Sequence, residues 1–152
     1  MRVGIDKLAY LILGMILVTF VDVHAGELID KRNSIILDQT TGLIWQKTEG
    51  GKRTWEKAIV YCENLVLGNY EDWRLPNIIE LRSLVDRSKH NPTIDTAYFP
   101  DVAPSIYWTS STPPSHNEYA WFVSFYTGNV NNYSKSYSYY VRCVRGSFEK
   151  FK

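Results

Sequence analysis

A chain of 152 residues with a formal net charge of +1 has material for one domain with its own core, but not for two. Its 17 basic and 16 acidic side chains leave no electrostatic footprint for nucleic acid. Aromatic residues are abundant at 14%, with 5 Trp and 11 Tyr, so rings are available to a surface as well as to a core.

The chain starts with Arg2 and Lys7 ahead of an almost unbroken apolar run, Leu8 to Val21. Val23-His24-Ala25 then places small residues where a signal peptidase cuts. The apolar run falls short of the ~20 residues that span a bilayer. Residues 1–25 are therefore expected to be a signal peptide cleaved after Ala25, with an uncleaved anchor as the alternative. Gly26, not Cys, follows, so this is not a lipoprotein start. The expected product meets a membrane only during export and ends in the periplasm, at the cell surface or outside the cell.

Residues 26–33 are polar and read as a loose lead-in. Ser34–Asp38 and Leu43–Lys47 read as short strands around a Gly-containing hairpin loop, Asp38-Gln39-Thr40-Thr41-Gly42. Glu49-Gly50-Gly51-Lys52 is a predicted turn. Thr54 suits a helix N-cap, and Trp55, Ala58, Ile59, Cys62, Leu65 and Val66 make an apolar stripe that stops before Gly68. Cys62 is thereby placed on a buried helix face.

The most consistent signals lie in Tyr70–Val85. Pro76 pushes Leu75 towards extended backbone, and Asn77 with Glu80 has the spacing of a capping box, so a second helix is predicted to start at Asn77. Ile78, Leu81 and Val85 share one face of it, Ile79 and Leu84 flank that face, and the helix fades at residues 87–91, before Pro92. Trp73 and Leu75 alternate into this helix as a buried corner. Arg74 is read as tying that corner to a neighbouring segment through backbone carbonyls, in preference to binding a ligand.

Beyond Pro92 the pattern turns to β. Residues 94–104 form a loop held by Tyr98 and Phe99, Ile106–Ser111 is a buried β segment, and Thr112–Glu118 is an exposed polar loop. Tyr119–Tyr126 is the strongest strand, turned back at Thr127-Gly128-Asn129. Tyr140–Arg145 closes the domain as a last strand carrying Cys143, and residues 147–152 form a tail. The expected architecture is an α+β domain over residues 34–146, with two helices packed on an antiparallel sheet. An even cysteine count in an exported chain favours a Cys62–Cys143 disulfide, whereas two buried thiols would need a reducing compartment.

No catalytic residue, metal ligand set or cofactor motif emerges. His90 and His116 sit in polar loops, and Ser110, Ser111 and His116 come with no orienting acid. Asp95, Asp101, Asn117 and Glu118 are too scattered for the six to eight oxygen ligands of calcium. The segment with functional content is Tyr126–Tyr140, where tyrosines alternate with Asn and Ser in the composition of binding loops. The candidate ligand-binding residues are Tyr126, Asn131, Tyr133, Lys135, Tyr137 and Tyr139, with Arg142 as a second cation from the adjoining strand. An ordinary strand of alternating exposure has the same composition. The expected function is non-enzymatic binding of a glycan or another surface polymer, with a protein of an envelope or surface assembly as the alternative partner.

GLIWQK at Gly42, the helix with Cys62, DWRLPN at Asp72, ELRSLVD at Glu80, YWTSS at Tyr107, AWFVSF at Ala120, Gly128 and VRCVRG at Val141 occur in one order. Together they resemble the bacterial Lcl C-terminal domain family, named from a collagen-like surface adhesin. The resemblance implies a C-type-lectin-like fold, in which a first-helix cysteine pairs with one on the last strand, as Cys62 and Cys143 would. For the adhesin it implies binding of a sulfated glycosaminoglycan through a trimer; this chain has no collagen-like repeats. The Glu-Pro-Asn, Gln-Pro-Asp and Trp-Asn-Asp motifs of calcium-dependent lectins do not occur. A formylglycine-type enzyme of similar fold would need a reactive cysteine pair, which the disulfide uses up.

Overall fold

The computed structural model describes residues 27–147; the expected signal peptide and the tail beyond Ser147 lie outside them. Two small sheets carry the chain. The first has the order β1 (Leu28–Lys31), β2 (Ile35–Asp38), β3 (Ile44–Gln46) and β9 (Val144–Arg145). The second runs β4 (Lys52–Arg53), β8 (Tyr139–Tyr140), β5 (Ile106–Trp108), β6 (Tyr119–Ser124) and β7 (Val130–Ser134). Helices α1 (Trp55–Glu63) and α2 (Ile78–Ser83) complete an α+β domain. The β5–β8 pair is parallel, so the second sheet is mixed, not purely antiparallel.

The expected loose lead-in is in part a strand. β1 pairs with β2 in antiparallel register from Leu28↔Asp38 to Lys31↔Ile35, and Asn33 and Ser34 turn between them at positive φ. Its charges hide it: Asp30 forms an ion pair with Lys47 at 2.6 Å, the kind of side chain that protects a sheet edge from further pairing. The Asp38–Gly42 loop closes as read, with Asp38 Oδ1 accepting from the Thr40 and Thr41 amides and Gly42 at φ +74°.

α1 starts after Thr54, which has extended cap geometry but makes no side-chain cap bond. It buries Ala58 and Cys62 and ends at Glu63, earlier than the stripe implied, which leaves Val66 67% exposed. α2 begins with the predicted capping box. Asn77 Oδ1 accepts from the Ile79 and Glu80 amides at 2.9 Å, and Glu80 Oε2 accepts from the Asn77 amide at 2.8 Å. The helix stops at Ser83, not near Arg87, because the Asp86 amide turns away to the Thr93 carbonyl. Asn77→Ala is expected to cost about 1 kcal/mol of stability, since two amides lose their acceptor. The denaturant midpoint should fall at unchanged slope.

Arg74 joins this corner to β9. Its backbone exchanges two 2.9 Å hydrogen bonds with Val144, and its guanidinium donates to both Glu80 carboxylate oxygens at 2.7 Å and to the Gly146 carbonyl at 2.8 Å. The structural reading of Arg74 holds, although a carboxylate is its main partner.

The predicted last strand is two strands. β8 belongs to the second sheet and β9 to the first, and Val141, Arg142 and Cys143 cross between them, all buried. A segment enclosed on both sides does not alternate in exposure, so a period of two misreads it. The disulfide joins Cys62 on α1 to Cys143 in this crossing segment, one residue before β9, with Cα atoms 5.5 Å apart.

Two apolar clusters flank the second sheet. Ile36, Trp45, Leu81, Phe99, Tyr107 and Val123 belong to one, and Cys62, Trp73, Leu75, Trp108, Ala120 and Phe122 to the other. β6 serves both, because successive side chains leave opposite faces. Phe122 therefore faces the disulfide side, and the residues of β7 paired across from it share that face.

Candidate functional site

β7 runs antiparallel to β6, with Phe122 opposite Asn131 and Ala120 opposite Tyr133. Partners directly across a ladder lie on one face, so Asn131 and Tyr133 project on the side of Phe122. The Tyr133 ring stacks on Phe122 at 5.7 Å between centroids and 12° between planes. The chain then turns, with the Ser134 and Ser136 hydroxyls 2.9 Å apart and the Tyr137 amide donating to the Ser134 carbonyl. This turn brings Tyr137 edge-on to Tyr133 at 5.7 Å. β8 adds Tyr139, which packs on Trp108 at 4.8 Å and on Tyr133 and Tyr137 at 6.1 and 6.2 Å. Burial, with Tyr133 and Tyr137 nearby, raises the pKa of the Tyr139 hydroxyl. Tyr139 serves as the half-buried base of the group, while Tyr133 and Tyr137 are 47% and 55% exposed. Trp108, from the predicted buried Ile106–Ser111 segment, and Phe122, from the predicted Tyr119–Tyr126 strand, form the floor beneath it.

Three candidates thus meet: Tyr133, Tyr137 and Tyr139. Asn131 flanks them on the same face, exposed two positions along β7. Tyr126 does not join them. It is exposed at the far end of the hairpin, beyond Ser124, and Tyr133 lies towards the opposite end.

Lys135 is adjacent but employed in the fold. Its ammonium donates to the Asn117 carbonyl at 2.8 Å and lies 3.9 Å from the Trp55 ring centroid, and its carbonyl accepts from the Trp55 amide. It fastens the 112–118 loop and the start of α1 to the end of β7.

Arg142 is not a surface cation, and its assignment as a ligand residue is corrected. Its side chain is fully buried, with Nη1 donating to the Gln46 and Lys47 carbonyls and the guanidinium 4.6 Å from the Phe99 ring centroid. Burial lowers its pKa, and the neighbouring Tyr107 hydroxyl and the Asp101 and Glu49 carboxylates oppose that shift. Tyr107 donates to Glu49 at 2.5 Å, and burial foremost, with Glu49 second, raises its hydroxyl pKa far above the usual tyrosine range. This group pins the β3–β4 connection to the core.

The residues that invited a nucleophile reading are likewise part of the framework. Ser111 Oγ accepts from the Ile78 amide at 3.1 Å at the start of α2, and the Ser110 amide donates to the Pro76 carbonyl. His116 stacks on Tyr119 in the exposed loop, with Nδ1 2.9 Å from Ser115 Oγ.

A second surface feature lay outside the sequence reading. A groove of about 620 Å³ runs along α1, lined by Arg53, Lys57, Val60, Tyr61, Leu65 and Val66 among others. The signal was available, since Val60 falls off the apolar stripe of α1 and is 55% exposed.

The fold and this surface define a disulfide-stapled α+β domain that displays an open cluster of tyrosines. The chain belongs to the Lcl C-terminal domain family, whose model matches residues 34–145. No curated protein matches it.

Proposed function

We propose that this chain is an exported, non-enzymatic binding module with a C-type-lectin-like arrangement, which takes a glycan or another surface polymer on Tyr133 and Tyr137. The observation that carries this reading is the exposure of two tyrosine rings on a rigid floor. Phe122, Tyr139 and Trp108 hold them from below, so little side-chain freedom remains to be lost on binding. A tyrosine offers a ligand a broad apolar face and a polar tip. Export agrees with the buried disulfide, a bond favoured in oxidising compartments.

Replacing Tyr133 and Tyr137 together by Ala should weaken binding to polysaccharide immobilised on a sensor surface by roughly tenfold or more, as loss of central aromatic anchors does. The variant should keep its near-ultraviolet circular dichroism from the buried tryptophans. Full binding by the folded variant would remove these residues from the site.

The reading as a protein-interaction subunit draws on a different place, the α1 groove with its exposed Val60 and Val66. In that case Val60→Asp, and not the tyrosine pair, would abolish co-purification of a fixed partner.

A further inference from the structure

The tyrosine surface carries information about the charge and shape of what it takes. We infer that its ligand is an uncharged polysaccharide bound along its chain, with C–H faces of its sugar rings packed on the exposed ring surfaces of Tyr133 and Tyr137, which stand at 69° to each other. This rests on the glycan reading above and narrows it.

The rings of Tyr133, Tyr137 and Tyr139 pack on one another with centroids 5.7 to 6.2 Å apart, which is contact distance for aromatic pairs. No slot is left between them for a terminal sugar or for the head of a cationic ligand. An open face of this kind meets the side of a polymer. Pyranose rings with equatorial substituents present a row of axial C–H groups that suits the face of an aromatic ring, and their hydroxyls point sideways to a polar rim. Asn131, Ser136 and Ser138, which lie close to these tyrosines in the chain, are exposed.

A sulfated polymer needs cations able to turn towards it, and among the described residues each cation close to the cluster is engaged elsewhere. Lys135 is held by the Asn117 carbonyl and the Trp55 ring. Arg53, whose backbone pairs with Tyr139, sets its guanidinium 3.9 Å from the Tyr61 ring centroid on α1. Lys52 lies over Tyr140, and Arg142 is buried. Glu118, whose carbonyl accepts from the Lys135 amide, adds an acidic residue at the same end of the hairpin. Desolvating a carboxylate beside sulfate groups would oppose binding, whereas a neutral polymer carries no such cost.

The test is calorimetric titration of the exported product of the full chain with cellohexaose, chitohexaose and a heparin hexasaccharide, at low and at high salt. The inference expects an uncharged oligosaccharide to bind with an affinity that changes less than about twofold with salt, because no ion pair is there to be screened. Tyr133→Ala/Tyr137→Ala should abolish that binding, and Lys135→Gln should leave it within about twofold, since truncating a residue outside the contact changes little. Preference for heparin, weakened by salt and by Lys135→Gln, overturns the inference while keeping the glycan reading. Binding of none of the three overturns both. Binding of an uncharged sugar that survives the tyrosine double variant overturns the assigned place.

Discussion

Replacing Cys62 and Cys143 together by Ala is expected to lower the free energy of unfolding by about 4.5 kcal/mol, the chain-entropy value for the loop they close. That loop spans 81 residues and contains α2 and β5 to β8. Without the bond, the unfolded chain regains the freedom of the whole segment. Each substitution also removes one fully buried sulfur atom, so a smaller packing loss accompanies the entropic one. A domain of this size is stable by about 5–15 kcal/mol, so the loss approaches the full stability at the low end. Urea unfolding of the oxidised protein and of the double variant measures it. The buried position adds a kinetic expectation: a reductant should act on the native protein only as fast as the crossing segment opens. A double variant within about 1 kcal/mol of the oxidised protein would show that the unfolded chain stays compact around this loop without the bond.

What could be read ahead in the sequence follows from how local each signal is. The Asn77–Glu80 capping box and the Gly42 turn depend on a few neighbouring residues, and the structure keeps both. The Cys62–Cys143 pairing was legible for a different reason, since an exported chain with two cysteines has one partner to offer each. β1 was missed because charges mask a protected edge strand. The last strand was misread because its division at Val141–Cys143 depends on which sheet accepts each end, and those acceptors, Arg53, Tyr107 and Trp45, lie far back in the chain. Arg142 fell with it. An alternating strand would have turned it outward, whereas a segment between two sheets has no outside. At the surface, composition picked out the right stretch but not the right members. Tyr133, Tyr137 and Tyr139 meet because of the Ser134–Ser136 turn, and Tyr126 is excluded by the strand register. Lys135 looked free because nothing near it in sequence marks Trp55 or the Asn117 carbonyl as its partners.

Arg74→Ala is expected to cost about 3 kcal/mol, the lower end of the range for stranding a buried charge. Glu80 is 2% exposed, and its carboxylate accepts three hydrogen bonds, two from Arg74 and one from the Asn77 amide that closes the helix cap. Bonding to Glu80 raises the Arg74 pKa against the opposing effect of burial. With the guanidinium gone, the carboxylate keeps one amide and loses its counter-ion in a site that admits little solvent. Arg74 is itself 39% exposed in its side chain, so water can enter where it stood, which limits the loss. The Gly146 carbonyl also loses its donor, and the tie between the α2 corner and β9 is left to the two backbone bonds with Val144. The origin of the cost is testable by adding Glu80→Gln. A neutral amide can still accept from Asn77, so the double variant should recover at least about 1 kcal/mol of what Arg74→Ala lost, as removal of an uncompensated charge allows. Chemical denaturation of the two variants and of the parent protein measures both steps. A cost below about 1 kcal/mol for Arg74→Ala would place the pair with exposed ion pairs, which contribute little, and would assign the rigidity of this corner to Trp73, Leu75 and the backbone bridge alone.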